Sequence, residues 1–170
     1  MRQDKRQETI AQVMEAEKKN LFRYACCYLG DVEEAKDMLQ DLFIGLCRTP
    51  GIVENTKNLK CYIFRSLFNN CKALMLRKRE VISLNIDSKE IAEIADSDPH
   101  NFEQEYFLIN RLLNTIPQEQ SEVIRLHIHG EKTFQEIAEI FDIPEASVKS
   151  RYRYGIEKLR RMMDKNKLSR

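Results

Sequence analysis

The stretch TFQEIAEIFDIPEASVKSRYRYGIEKLRRMM, residues 133–163, decides the fold class of the C-terminal part of this chain. It begins with a capping box, since Thr133 is followed three positions later by Glu136. A short amphipathic segment leads to a turn at residues 142–144, where Pro144 suits the first turn of the next helix. Apolar residues then recur in steps of three and four, at Val148, Tyr152, Ile156, Leu159 and Met163. A short helix, a tight turn and a longer helix predict a helix-turn-helix.

The opposite face of the longer helix carries polar and basic side chains, namely Ser147, Lys149, Ser150, Arg151, Arg153 and Tyr154. In a helix-turn-helix, this face of the second helix meets the major groove of DNA. Arg and Lys can then reach guanine edges or phosphates, and Ser can hydrogen-bond to either. We interpret these residues as DNA contacts. The alternative is an amphipathic helix whose positive charges are only solvated and contact no DNA.

Charge is segregated along the chain, although its net charge is only +1. Residues 57–80 carry a surplus of six positive charges, and residues 147–170 carry a surplus of seven. Between these two blocks, residues 83–105 carry a surplus of six negative charges. Two basic blocks separated by an acidic segment suggest two separate contacts with a polyanion.

The composition favours a helical protein and excludes several other classes. Gly and Pro are scarce, at five and four residues, while Leu, Ile, Glu, Lys and Arg are abundant. No apolar run reaches the roughly 18–20 residues of a membrane span, and the N-terminal residues lack the apolar core of a signal peptide. We therefore expect a cytoplasmic, all-helical protein without membrane insertion.

Side chains that could carry chemistry do not form a recognisable site. The cysteines are odd in number and lack any C-x-x-C pair: Cys26, Cys27, Cys47, Cys61 and Cys71. Asp37 and Asp41 lie one helical turn apart, but no His, third carboxylate or Gly-rich phosphate loop joins them. We expect buried free thiols, no metal, no cofactor and no catalytic residue. Redox sensing by the adjacent pair at positions 26 and 27 is the less favoured interpretation.

Periodicity predicts three helices in the first half of the chain. The first spans Gln7 to Leu29 and is ended by Gly30, and the second is capped by Asp31. The third begins near Asn58 and ends in the basic sequence RKRE, residues 77–80. It places Tyr62, Ile63, Leu67, Cys71, Leu74 and Met75 on one side.

The acidic segment lacks sustained periodicity and predicts a linker with at most one short helix, at Ser88–Ala95. Two further helices, at residues 104–116 and 118–129, precede the helix-turn-helix. The predicted fold is all-α, with two small helical domains joined by an acidic linker, the C-terminal one a four-helix domain with a helix-turn-helix. The predicted ranges are 5–82, 83–103 and 104–166.

The segment LLNTIPQEQSEVIRLHIHGEKTFQEIAEIFDIPEASVKSRYRYGIEKLRRMM, residues 112–163, resembles region 4 of bacterial sigma factors. It is most similar to their extracytoplasmic-function (ECF) group. The motifs that carry the resemblance are IP at 116–117, EIA at 136–138, SVKSR at 147–151 and LR at 159–160. The resemblance implies that the second helix of the helix-turn-helix reads the −35 element of a promoter, where RYG at 153–155 replaces a commoner arginine–alanine run.

The first half is similar to region 2 of the same family. The sequence YLGDVEEAKDMLQDLFIGL, residues 28–46, matches the family pattern at Asp31, Ala35, Asp37, Gln40 and Phe43. In the family this helix docks on the β′ clamp helices of RNA polymerase. The resemblance therefore implies a polymerase-binding role for Asp31, Asp37, Gln40, Asp41 and Phe43.

The next segment, NLKCYIFRSLFNNCKALMLRKRE at residues 58–80, looks like the part of region 2 that melts and reads the −10 element. The DNA contacts implied there are Tyr62, Arg65, Asn69, Arg77, Lys78 and Arg79. Tyr62 and Phe64 stand where the family commonly begins with Trp, and an aromatic ring can stack on an unpaired base.

The resemblance as a whole implies a sigma factor with no catalytic activity of its own. Its implied partners are core RNA polymerase, through the β′ clamp helices and the β flap, promoter DNA, and an anti-sigma factor. A stand-alone helix-turn-helix regulator with its own dimer interface is the alternative, and a helical adaptor that binds no DNA is a third class. A stand-alone regulator would bind duplex DNA tightly by itself, whereas a sigma factor would bind weakly without the polymerase.

Overall fold

The computed structural model describes residues 2–85 and 102–168, and every regular element in these ranges is an α-helix. The helices are α1 (Arg2–Ala16), α2 (Lys18–Leu29), α3 (Val32–Arg48), α4 (Ile52–Asn55), α5 (Leu59–Asn85), α6 (Phe102–Leu113), α7 (Gln118–Ile128), α8 (Phe134–Phe141) and α9 (Glu145–Leu168). The all-α prediction is confirmed, and the last four helices contain the helix-turn-helix as α8 and α9. None of the described helices is long and apolar enough to cross a membrane. The short helix predicted at Ser88–Ala95 lies outside the described residues.

The predicted helix caps are present. Gly30 follows α2 with a φ of 72°, in the left-handed region, and its N–H donates to the Cys26 carbonyl oxygen at 2.8 Å. The Asp31 carboxylate accepts from the Glu34 N–H at 3.0 Å at the start of α3. At the start of α8, Thr133 and Glu136 form both bonds of a capping box.

The single helix predicted for residues 7–29 is wrong, because α1 and α2 are separated at Glu17. Helical hydrogen bonding continues on both sides of this break: the Glu17 N–H donates to Val13, and the Leu21 N–H donates to Glu17. The Glu17 carboxylate accepts from Lys132, 115 positions away in sequence. Such a long-range contact leaves no trace in local periodicity.

Helix α9 packs across α7 and α8, with Val148 fully buried. Gly155 marks the closest approach, since an added Cβ would lie 2.6 Å from Ile124 Cδ1 and 3.2 Å from Gln120 Cβ. This proximity explains a glycine in the middle of a helix, where it costs about 1 kcal/mol relative to Ala. The predicted burial of Met163 is wrong: that side chain is 51% exposed, and Met162 packs against the core instead. The buried stripe of α9 thus ends with a step of three residues rather than four.

The two halves of the chain pack against each other, chiefly through α8 on α5 and α6 on α2. At this junction the rings of Phe68 and Phe141 meet edge to face, with their centroids 5.0 Å apart. The ammonium group of Lys132 lies 2.8 Å from Glu17 Oε2 and 4.3 Å from the centre of the Phe64 ring. We call this set of contacts between residues 2–85 and 102–168 the junction.

Candidate nucleic-acid interface

The predicted −35 contacts all lie on accessible parts of α9. Lys149, Arg153 and Tyr154 are exposed, while Ser147, Ser150 and Arg151 are half-buried. With a helical turn of 3.6 residues, the side chains at 150, 153 and 154 point away from buried Val148, and those at 147, 149 and 151 flank them. The structure therefore brings these six residues onto one continuous surface of the helix.

Each predicted cation on this surface has an intramolecular partner. Lys149 Nζ lies 3.4 Å from Glu145 Oε1, and the Arg153 guanidinium lies 5.1 Å from the centre of the Tyr154 ring. Arg151 reaches back to α7, where its Nη2 lies 3.8 Å from Glu119 Oε2. Exposed ion pairs of this kind contribute about 0–1 kcal/mol and are weakened by salt. A DNA phosphate or base edge can therefore replace these partners at little cost.

An aromatic cluster beneath α9 holds the helix-turn-helix together. The His127 ring stacks on Phe134 with centroids 4.5 Å apart, and Tyr152 meets it edge-on at 4.9 Å. His127 Nδ1 also lies 2.9 Å from the Lys132 carbonyl oxygen, a distance at which a protonated Nδ1 donates. No role for His127 was predicted from the sequence. Its place on the last turn of α7, just before the capped helix, is the signal that could have indicated packing.

The predicted −10 contacts lie on α5, mostly on its solvent side. Tyr62 is 37% exposed, although the periodicity had placed it with the core of this helix. Four more are exposed: Arg65, Asn69, Arg77 and Arg79. Lys78 is half-buried and forms an ion pair with Glu34 of α3.

Phe64 does not lie on this surface, and the prediction that its ring stacks on a base is wrong. The ring is fully buried, packs edge-on against Tyr24 at 6.4 Å and is covered by the Lys132 ammonium group. Tyr62 is thus the one aromatic ring of this pair that can reach an unpaired base.

The predicted polymerase contacts lie on α3. Asp37, Gln40 and Asp41 are exposed, Phe43 is half-buried, and Asp31 is the N-cap. The first three lie at helical spacings of three and four, so they form one stripe. Ile44 extends this stripe and is 42% exposed, an apolar contribution that the sequence reasoning did not include.

The cysteines are packing residues. Four of them are buried and Cys47 is half-buried, and no disulfide joins any of the five. Burial raises the pKa of the Cys27 thiol to about 11, although Arg125 lowers it. Burial and a hydrogen bond to Glu139 raise the pKa of Cys61 to about 12. Such thiols stay protonated at neutral pH, which makes them poor nucleophiles and poor metal ligands. In the described part of the chain no cluster of three or more His, Cys, Asp or Glu side chains could hold a metal ion.

Comparisons with known proteins agree with this geometry. Residues 112–161 match the family Sigma-70, region 4. The sigma factor RpoE of Bartonella quintana, solved in complex with the anti-sigma factor NepR, is similar with a TM-score of 0.63 and 19% identity, covering 92% of this chain and 95% of that one. CnrH, solved in complex with the cytosolic domain of CnrY, is similar with a TM-score of 0.66 and 16% identity, covering 93% and 89%. At these identities the likeness shows a common fold. No curated protein sequence matched the chain.

Proposed function

Since residues 112–161 match the family Sigma-70, region 4, we propose that this chain is an alternative sigma factor that binds core RNA polymerase and directs promoter-specific initiation. The resemblance to region 4 is confirmed over residues 112–161, and the fold is shared with the sigma factor RpoE and with CnrH. The observation that carries the proposal is the coincidence of the region 4 match with α9. The matched range, 112–161, contains all six predicted −35 contacts of that helix.

Helix α9 would read the −35 element, and the rest of residues 104–166 would position this helix. Arg151 and Lys149 can exchange their weak carboxylate partners for a base edge or phosphate. Ser147 and Ser150 stand beside them as neutral hydrogen-bonding groups. The cation–π contact between Arg153 and Tyr154 gives these two side chains a joint flat surface on the same face.

The −10 element would be bound and melted by residues 5–82, through α5. Exposed Tyr62 supplies a stacking surface, and Arg65 and Asn69 follow it at steps of three and four residues on the same side of the helix. Arg77 and Arg79 extend the positive charge along α5 toward its end at Asn85. Lys78 would have to leave Glu34 to contact DNA.

Polymerase docking would use the α3 stripe of Asp37, Gln40 and Asp41, with Ile44 and half-buried Phe43 as apolar contacts. The β′ clamp helices are the expected partner of this surface, and the β flap that of residues 104–166. We further propose an anti-sigma factor as a partner, because the similar RpoE structure contains one. Such a protein acts in the cytoplasm and leaves nucleotide addition to the polymerase.

Run-off transcription with purified core polymerase tests the proposal. Adding the chain should produce new transcripts from a genomic promoter pool, and core polymerase alone should not. Asp37→Arg should abolish co-purification with core polymerase, because it reverses a charge in the docking stripe. Glu8→Arg makes the same charge reversal at an exposed position of α1 and serves as the control.

No added initiation from any promoter would overturn the sigma-factor proposal. Tight, sequence-specific binding to duplex DNA by the chain alone would favour a stand-alone regulator. Normal co-purification of Asp37→Arg with core polymerase would remove the docking role from α3 while leaving the sigma-factor proposal intact.

A further inference from the structure

A cavity of about 200 Å³ lies at the junction, between α5 of the first half and α7 of the second. Three cationic side chains line it: Lys72 and Arg79 from α5, and Arg125 from α7. Among the described residues that line it, none carries a carboxylate. This cavity is separate from the predicted −35 surface of α9 and from the docking stripe of α3, and it shares Arg79 with the predicted −10 contacts.

Arg125 is the innermost of the three cations, only 2% exposed. Its guanidinium donates to Asn110 Oδ1 at 2.7 Å, Asn114 Oδ1 at 3.1 Å and Ser121 Oγ at 3.3 Å, and it lies 4.7 Å from the centre of the Tyr28 ring. All of these partners are neutral. Burying a charge is costly unless an opposite charge accompanies it. Within the described residues, the positive charge of Arg125 has no ion-pair partner.

Two ionisable groups lie near this charge. Burial raises the pKa of Glu122, while the positive charges of Lys72 and Arg125 lower it. Burial also raises the pKa of the Cys27 thiol, to about 11. The described residues that line the cavity include three cations and no carboxylate, which favours an anion from outside the chain.

The size of the cavity and the chemistry of its walls indicate which class of anion can bind. Lys72 and Arg79 line the cavity beside Arg125, so several charged N–H donors can converge on one group with many acceptor oxygens. Three positive charges suit a dianion better than a single carboxylate. Ligand sites for drug-sized molecules are about 300–1,000 Å³, so this smaller cavity admits only a small ligand. Met75, Leu76 and Ile116 form an apolar wall beside the donors.

We propose that this cavity binds a phosphate group, either as inorganic phosphate or as a small phosphate monoester whose organic part lies on the apolar wall. A phosphate held there contacts α5 and α7 together. Its binding therefore stabilises the packed arrangement of the two halves. The proposal does not depend on a role in transcription, because it concerns the isolated chain.

The test is a calorimetric titration of the full chain with inorganic phosphate and with methyl phosphate, in chloride buffer at constant ionic strength. One saturable site and a ligand-dependent rise in melting temperature are expected. The double variant Lys72→Gln/Arg79→Gln should bind roughly tenfold more weakly or worse, because it loses two charge-assisted contacts. Tighter binding of methyl phosphate than of inorganic phosphate identifies the monoester as the ligand, and the reverse order identifies free phosphate.

The control is Lys18→Gln/Lys36→Gln, which removes two exposed lysines on α2 and α3 and should leave binding unchanged. The single variant Arg79→Gln, at an exposed position, gives the same test if the double variant folds poorly. Unsaturable binding, or equal loss of affinity in both double variants, would overturn the proposal, since each would show only general attraction of anions to a basic protein.

Discussion

The ion pairs of the junction and those of α9 join the same kinds of side chain in very different surroundings. At the junction, the Lys132 and Glu17 side chains are 3% and 18% exposed and lie 2.8 Å apart. On α9, Arg151 and its partner Glu119 are 32% and 73% exposed and lie 3.8 Å apart. Removing one member of a buried pair leaves an uncompensated charge in a poor solvent, whereas water replaces the partner of an exposed charge. Burial therefore decides which cations stabilise the fold and which can exchange their partner for water or another ligand.

Lys132→Ala should have the largest effect on stability. It removes the ammonium group from between Glu17 and the Phe64 ring, and we expect the free energy of unfolding to fall by about 3 kcal/mol, the lower end for breaking a buried pair. Urea unfolding measures this loss. Lys18→Ala, whose side chain is 72% exposed, is the control and should change stability by no more than about 0.5 kcal/mol. Equal effects of the two substitutions would show that burial does not distinguish these lysines.

Arg151→Ala should weaken promoter binding and leave stability nearly unchanged, in contrast to Lys132→Ala. If Arg151 reads a base, the loss should cost about 1–3 kcal/mol of binding at one position of the −35 element, with urea unfolding nearly unchanged. Filter binding of the complex with core polymerase to single-base variants of the promoter measures the first quantity. Arg160→Ala, further along the same helix, is the control and should weaken all promoters equally. Unchanged affinity and selectivity in Arg151→Ala would show that this side chain contacts no base.

Lys60→Ala tests an intermediate degree of burial. The Lys60–Glu136 pair joins α5 to α8 at 2.6 Å, with side chains 37% and 22% exposed. We expect a loss of about 1 kcal/mol, the upper end for a solvent-accessible pair. A double-mutant cycle with Glu136→Gln isolates the interaction, because Gln preserves the capping box at Thr133. A loss as large as that of Lys132→Ala would contradict the proposed dependence on burial.

Local sequence signals predicted the helices well because their causes are local. The caps at Asp31 and Thr133 satisfy backbone groups within three residues of themselves, and the apolar steps of α9 define its buried face over a few turns. The fold class and the accessible positions of the −35 residues followed from these signals. The roles of those residues in DNA binding stay predictions.

The junction could not be predicted, because its contacts join residues far apart in sequence. Phe64 was interpreted as a base-stacking ring, and only the packing of Lys132 over it, from the other half of the chain, shows that it is buried. Gly155 costs its helix about 1 kcal/mol relative to Ala, and only the position of Ile124 reveals the close crossing that requires it. Contacts between residues far apart in the chain leave no signal in the local sequence pattern.

The smallest expected effect is a pH dependence of stability that arises from His129, the C-cap residue of α7. Burial lowers the pKa of His129 below its ordinary value of 6.5, and the positive charges of Arg125 and Arg23 lower it further. The unfolded chain therefore binds this proton at a higher pH than the folded chain does. The stability that this difference in the pKa of His129 contributes is fully present above the pKa of the unfolded chain. It is lost as the pH falls through the pKa of the folded chain.

Urea unfolding between about pH 8 and pH 5 should show this loss in the unmodified chain and less of it in His129→Gln. The difference between the two proteins isolates His129, because Glu122 and other carboxyls titrate alike in both. The arginines of α9 stay charged throughout this range, so promoter contacts through Arg151 should not follow the same curve. Parallel stability curves for the two proteins would show that His129 takes up its proton equally in the folded and unfolded states. In that case Arg125 and Arg23 would not act on it as the structure indicates.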